Sequence, residues 1–142
     1  MSLYVVDASV AAKWFTDEED ATPALMLLDE RHALHAPDFF ALEMDSVLCK
    51  WIRRGVVTEP EGDDIRATLG RLPIQYHPFR LLQDSAYAIA NRTGLSLYDG
   101  LYVALAVLLK GRLVTADRQL HDRAAVTSFG TFLRWVGDIA PD

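Results

Sequence analysis

The sequence predicts an α/β domain with a central, mostly parallel sheet flanked by helices. Three observations lead there. Short apolar runs rich in β-branched residues recur along the chain, stretches with helical spacing separate them, and two of the runs are followed within two residues by an aspartate, Asp7 and Asp117. Strands that alternate with helices pair in parallel, because each connection must cross back over the sheet.

Taken in order, Leu3 to Val6 reads as a buried strand ended by Asp7, and Ala8 to Phe15 carries helical spacing. Pro23 suits the first turn of a second helix running to about Ala33, and Leu34-His35-Ala36 is a brief strand before Pro37. Asp38 is a candidate N-cap for a long helix from Phe39 to Arg54, stopped by Gly55. Thr58-Glu59-Pro60-Glu61 has the form of a capping box and opens a helix to about Leu72, with Pro73 just beyond. Ile74 to His77 reads as a strand, and Leu81 to Thr93 as a helix closed by Gly94. Ser96-Leu97-Tyr98-Asp99 is a second box, whose apolar helix reaches Lys110 and stops at Gly111. Arg112 to Thr115 is the next strand, Asp117 to Ala124 a short helix, and Val126 to Phe129 a last strand.

At 142 residues, with 51% hydrophobic and 24% charged, the chain has the composition of one globular domain over residues 1–142. Cys49 is the single cysteine, so no intramolecular disulfide forms and no Cys-based zinc pattern exists; a reducing cytoplasm is the expected compartment. The longest apolar run, Leu101 to Leu109, is far too short to span a bilayer, and no membrane association is expected. The net charge of −6 opposes general nucleic-acid coating, which depends on cations that neutralise phosphates. That tension eases if some of the negative charge lines a site for divalent cations.

Ligands in open α/β sheets bind beyond the carboxyl ends of the strands, and Asp7 and Asp117 both fall there. Each has a simpler reading as the cap of the helix that follows it. Asp99, third after Ser96, likewise suits the positive end of its helix dipole. Glu43 is different. It shares a helix face with Phe39, Phe40, Val47 and Lys50, so it is either partly buried or at the edge of a cleft, and a buried carboxylate needs a partner or a metal. Asp45 points elsewhere and reads as a solvated charge. The histidines, His32, His35, His77 and His121, lack metal-motif spacing and read as surface or capping residues. No glycine-rich phosphate loop follows the first strand, and Ser9 has no nucleophile elbow around it.

Four segments together resemble the PIN-domain family, specifically VapC-type toxins of toxin–antitoxin pairs. They are Val5-Val6-Asp7-Ala8-Ser9-Val10 with Lys13-Trp14-Phe15, Ala36-Pro37-Asp38 followed by Glu43, Leu95 to Ala106 around Asp99, and Leu113-Val114-Thr115-Ala116-Asp117. The resemblance implies a PIN-like fold and an acidic quartet of Asp7, Glu43, Asp99 and Asp117 that is both catalytic and metal-ligating, with Ser9 and Thr115 as supports. It implies Mg²⁺ as cofactor, with Mn²⁺ as a substitute, and hydrolysis of RNA that leaves a 5′-phosphate and a 3′-hydroxyl. A tRNA or ribosomal RNA loop is the kind of target implied. A VapB-like antitoxin and a homodimer are the implied partners. One position departs from the family pattern: Ser46 stands three residues after the glutamate, where asparagine is frequent.

RNA contacts are expected from Lys50, Arg53 and Arg54, beyond Glu43 on its helix, and from Arg118, although each equally suits a solubilising role. Lys13 reads as structural. Competing readings are a silent PIN-like module that binds RNA or protein, a receiver-like phospho-acceptor domain, and a DNA-directed nuclease of similar fold. A receiver would want adjacent acids near the first strand, whereas here two of the key acids lie on helices.

Overall fold

Short apolar segments flanked by helices pack into a sheet between two layers, and five short segments of this chain form one sheet, with β1, β2 and β4 the most buried. The computed structural model describes residues 2–140. Its strands are β1 (Ser2–Val6), β2 (His32–Pro37), β3 (Ile74–His77), β4 (Arg112–Thr115) and β5 (Leu133–Trp135), ordered β3-β2-β1-β4-β5, with every neighbouring pair parallel. Around them run α1 (Ala8–Ala12), α2 (Ala21–Met26), α3 (Phe39–Arg53), α4 (Glu59–Arg71), α5 (Gln83–Thr93), α6 (Leu97–Leu109) and α7 (Arg118–Ala125). From β1 the chain builds outward through β2 and β3, then returns to add β4 and β5 on the other side. The strand order therefore reverses between β1 and β4, which are in register at Val6 and Val114. A crevice at the carboxyl end of such a switch point is where this kind of sheet binds ligands.

Local chemistry sets most helix ends. Thr58 and Glu61 make both bonds of the capping box, and Gly55 and Gly94 take left-handed backbone where α3 and α5 stop. Buried from Gly100 to Ala106, α6 is the central core helix. A Cβ on Gly100 would lie 2.8 Å from the carbonyl oxygen of Ala86, so glycine lets α5 and α6 approach closely beside Asp99. Lys110 itself takes the left-handed turn expected at Gly111. Gly111 is needed for packing instead: a Cβ there would meet Leu3 Cδ2 at 2.4 Å.

Five details differ from the sequence reading, where a tertiary contact or a local turn overrides the pattern. α1 ends at Ala12 rather than Phe15, where Trp14 Nε1 donates to the Ala24 carbonyl at 2.8 Å and Lys13 Nζ to the Glu19 carbonyl at 2.7 Å. α2 ends at Met26 rather than Ala33; Asp29 accepts from the Arg31 amide to form a turn, and residues 32–37 join the sheet beside β1. Asp38 makes no capping bond, because its carboxylate accepts from the Phe79 amide at 2.9 Å. His35 is buried, with Nδ1 2.9 Å from His77 Nε2, rather than a surface or capping residue. The final strand is Leu133–Trp135, not Val126 to Phe129: Val126 is 87% exposed, and the Thr127 hydroxyl bridges the Ala124 carbonyl and the Phe129 amide in a turn. Among the described residues, no single helix is long and apolar enough to cross a membrane.

A candidate metal centre at the sheet switch point

Asp7 sits at the carboxyl end of β1, 5% exposed, and is held from three sides. Its Oδ1 accepts from Ser9 Oγ at 2.6 Å and from the Val10 amide at 3.1 Å, while its Oδ2 accepts from Thr115 Oγ1 at 2.5 Å. The capping reading of Asp7 is therefore correct, but it does not exhaust the carboxylate: Oδ2 keeps a lone pair. The supporting hydroxyls are themselves tied down. Ser9 Oγ accepts from the Ala116 amide and Thr115 Oγ1 from the Asp117 amide, both at 3.0 Å, so the ends of β1 and β4 share one hydrogen-bonded lattice.

The other acids fall around this lattice. Asp117 caps α7, its Oδ1 accepting from the Leu120 amide at 3.2 Å. The Asp99 amide donates to Ser96 Oγ at 3.0 Å. Unlike Glu61, which returns a bond to the Thr58 amide, Asp99 makes no reciprocal bond to the Ser96 backbone; its carboxylate is eased only by the Ser96 side chain. Glu43 accepts at Oε1 from the hydroxyl of Tyr102, a side chain almost wholly buried in the core.

Electrostatics link the four acids in a chain. Burial, with a smaller push from Glu43, raises the Asp7 carboxyl to about 6 against the opposing bonds from Ser9, Thr115 and Val10. Glu43 is raised by burial and by Asp99, with the Tyr102 bond opposing; Asp99 is raised by burial and by Asp117, with Ser96 opposing. The Tyr102 phenol is raised mainly by burial and also by Glu43, Asp7 and Asp99, so it remains a donor. Three buried or half-buried carboxylates, Asp7, Glu43 and Asp99, thus hold their protons more tightly than free acids, and a cation beside them would offset that cost.

The donor set fits a hydrated divalent ion rather than a closed cage. Among the described residues no three His, Cys, Asp or Glu side chains are grouped so that they could hold a metal ion on their own. Mg²⁺ retains several waters and is held by one or two carboxylates together with substrate oxygens, so an open all-oxygen edge suits it. Soft-metal ligands are lacking there, since Cys49 is exposed and the buried imidazole pair His35–His77 lies on β2 and β3.

The other expected site residues divide. Ser9 and Thr115 touch Asp7 directly. Lys50, Arg53 and Arg54 are exposed, about 10 to 17 Å along the helix axis from Glu43. Arg118, also exposed, has its guanidinium 3.6 Å over the ring of Trp135. Asp45 is bound at both oxygens by Arg66. Tyr102 was hidden within an unbroken apolar run; the available signal was its spacing of three from Asp99, which puts both on one helix face. A groove of about 680 Å³ between α3 and α4, lined by Phe40, Met44, Leu69 and Tyr76, contains none of the four acids.

An all-parallel five-stranded sheet with a buried aspartate at its switch point defines the class of fold. Residues 4–126 match the PIN domain family. The chain is 34% identical over 121 residues to ribonuclease VapC3 of Pyrobaculum aerophilum, covering 84% of this chain and 92% of that one. It is also 34% identical over 120 residues to ribonuclease VapC9 of Mycobacterium tuberculosis, covering 84% and 90%. Among solved structures it is similar to PAE2754 from Pyrobaculum aerophilum, with TM-score 0.65, 24% identity, and 86% and 79% of the two chains covered. It shares its fold as well with the Rickettsia felis VapBC2 structure, bound to a promoter DNA fragment, with TM-score 0.62, 12% identity, and 94% and 98% covered. The chain belongs to the PIN domain family and, within it, to the VapC ribonucleases.

Proposed function

We propose that this VapC-type endoribonuclease hydrolyses single-stranded or looped RNA at a Mg²⁺ site formed by Asp7, Glu43, Asp99 and Asp117. PIN-domain VapC nucleases are generally dependent on a divalent metal. The observation that carries the reading is the lattice in which Ser9, Val10 and Thr115 fix Asp7 at the β1–β4 switch point.

The chain's own residues do the positioning. Ser9 and Thr115 hold the Asp7 carboxylate in one orientation and leave an Oδ2 lone pair as a ligand. Asp117 uses Oδ1 to cap α7 and keeps Oδ2 for the same task. Tyr102 restrains Glu43 through one oxygen, so the other is presented without loss of side-chain freedom at the moment of binding. A divalent ion held there would neutralise the docking phosphate, activate water and steady the leaving oxygen. Tyr102→Phe keeps the shape but loses this restraint. It should lower cleavage about ten- to a hundredfold, as for loss of a hydrogen bond to a charged group. The check is cleavage rate together with Mn²⁺ affinity, both of which should fall while the melting temperature stays within a few degrees.

The direct test offers labelled single-stranded RNA and the matching DNA with Mg²⁺, Mn²⁺ or chelator. RNA cleavage that needs metal and leaves 5′-phosphate ends is expected. Cleavage of DNA alone would favour a DNA-directed nuclease, and binding without cleavage a silent module.

Partners follow from charge and exposed apolar surface. Crowded carboxylates attract a guanidinium as well as a metal, and arginine binds them bidentately. A VapB-like antitoxin tail that inserts an arginine would therefore silence the site, as befits a relative of the Klebsiella pneumoniae toxin–antitoxin complex in fold. Saturating cognate tail peptide should stop RNA cleavage, and alanine at the inserted cation should weaken it. Full-rate cleavage with the peptide bound would contradict occlusion. For self-association, Leu42 is exposed one turn from Phe39, whose ring stacks on exposed Tyr98 at 5.2 Å, and Leu25 is exposed on α2. An isologous homodimer covering these residues is expected. Light scattering at micromolar concentration should give twice the 15.9 kDa chain mass, and a monomer would contradict it. The lone cysteine favours a cytoplasmic site of action.

A further inference from the structure

A pocket of about 530 Å³ opens on the β5 side of β4, beside the acid cluster, with Ala116 and Arg118 on its wall either side of Asp117. Trp135 is the register partner of Thr115, so its indole stands one strand away from the hydroxyl that holds Asp7. The Arg118 guanidinium lies 3.6 Å over that indole, and His121 meets the same ring edge-on at 5.7 Å. An arginine plane braced on an aromatic ring is a stacking surface for an unpaired base.

The opposite wall is acidic and unusually built. Asp20 precedes α2 in left-handed backbone, φ +64, yet makes no capping bond. Its Oδ1 reaches the pocket floor, 3.1 Å from where a Cβ on Gly137 would lie, and Trp135 Nε1 approaches the same point to 3.0 Å. Gly137 therefore keeps the floor open.

A phosphate suits this pocket poorly. Glu19, Asp20 and Asp138 line it against Lys13 and Arg118, and Lys13 is already engaged with the Glu19 carbonyl and, at 3.6 Å, with Glu18. A flat, neutral group with N–H donors suits it well. Guanine presents two adjacent donors on its pairing edge, which a carboxylate accepts side by side, whereas uracil has no amino group.

We propose that this pocket binds one unpaired nucleobase of the RNA, guanine ahead of the other three, next to the phosphate held at the acid cluster. This rests on the ribonuclease reading above. The test uses labelled uridine decamers carrying a single central G, A, C or U, with binding measured by anisotropy in Ca²⁺ buffer. The central-G decamer should bind about tenfold more tightly than all-U, the scale of a hydrogen bond to a charged group. Asp20→Asn and Gly137→Ala, each checked for an unchanged melting temperature, should abolish that preference, and Arg118→Ala should weaken all four. Equal binding of the four decamers by the parent, or an unaltered preference in both pocket variants, overturns the proposal. A parallel Mg²⁺ cleavage series separates the two claims. Selective binding without cleavage sinks the nuclease reading and keeps the base pocket; cleavage indifferent to the central base does the reverse.

Discussion

Asp7→Asn protein is expected to fold, to melt higher than the parent in chelating buffer, and to lose RNA cleavage by on the order of a thousandfold. The activity loss follows from removing one anionic ligand from a site whose bound ion supplies several kcal/mol of charge stabilisation. The stability gain follows from the same carboxylate. Asp7 is almost fully buried and lies near Glu43, so its ionised form is a burden on the folded state without metal. Asparagine keeps one oxygen to accept from Ser9 and Val10, presents an N–H donor where Thr115 now donates to Oδ2, and carries no charge. Cleavage assays of parent and variant, paired with thermal melts in chelator, read both effects. A folded variant that cleaves at the parent rate would remove Asp7 from the chemistry.

The pH dependence of that stability gain should be large and of definite sign. The Asp7 carboxyl is raised from 3.8 to about 6 in the folded chain, so between those values the native state binds a proton that the unfolded state has lost. The burden is absent below about pH 4, grows through the window, and is complete above about pH 6. Two units correspond to roughly 3 kcal/mol. His35 acts in the opposite sense, since burial and His77 lower its proton affinity and stability is lost as it is forced to charge below its usual value. The isolating quantity is therefore the difference in melting temperature between Asp7→Asn and parent in chelator. It should be near zero at pH 4, rise to pH 6 and then level off. Saturating Mg²⁺ or Mn²⁺ at pH 7.5 should stabilise the parent more than the variant. A difference that stays flat from pH 4 to pH 8 would mean that Asp7 carries no buried charge.

The fold was legible where local chemistry and tertiary packing agree. β3 and β4 have the bounds the apolar runs suggest, and the Thr58 and Ser96 boxes open α4 and α6 where their spacing indicates. It was illegible where a distant partner decides. Nothing near Trp14 signals its bond to Ala24, nothing near Asp38 its bond to Phe79, and a three-residue strand such as β5 is too short to show alternation. At the site, strand ends and helix positions singled out the four acids as candidates because each satisfies, or breaks, a local rule, but only the family resemblance grouped them as a quartet. Asp7 and Asp117 cap helices, Asp99 sits in a box without completing it, and Glu43 interrupts an apolar face. Tyr102 and the Arg118–Trp135 stack were not readable, since aromatic residues in apolar or terminal segments look like core until the partner is known.

The most direct measurement is Mn²⁺ binding, by electron paramagnetic resonance, to the parent and to single Asp7→Asn, Glu43→Gln, Asp99→Asn and Asp117→Asn proteins, all verified as folded. The prediction is saturable binding by the parent, weakened at least tenfold by Asp7→Asn and by Asp99→Asn and measurably by the other two. Affinity in all four variants equal to that of the parent would contradict a metal centre at the β1–β4 switch point.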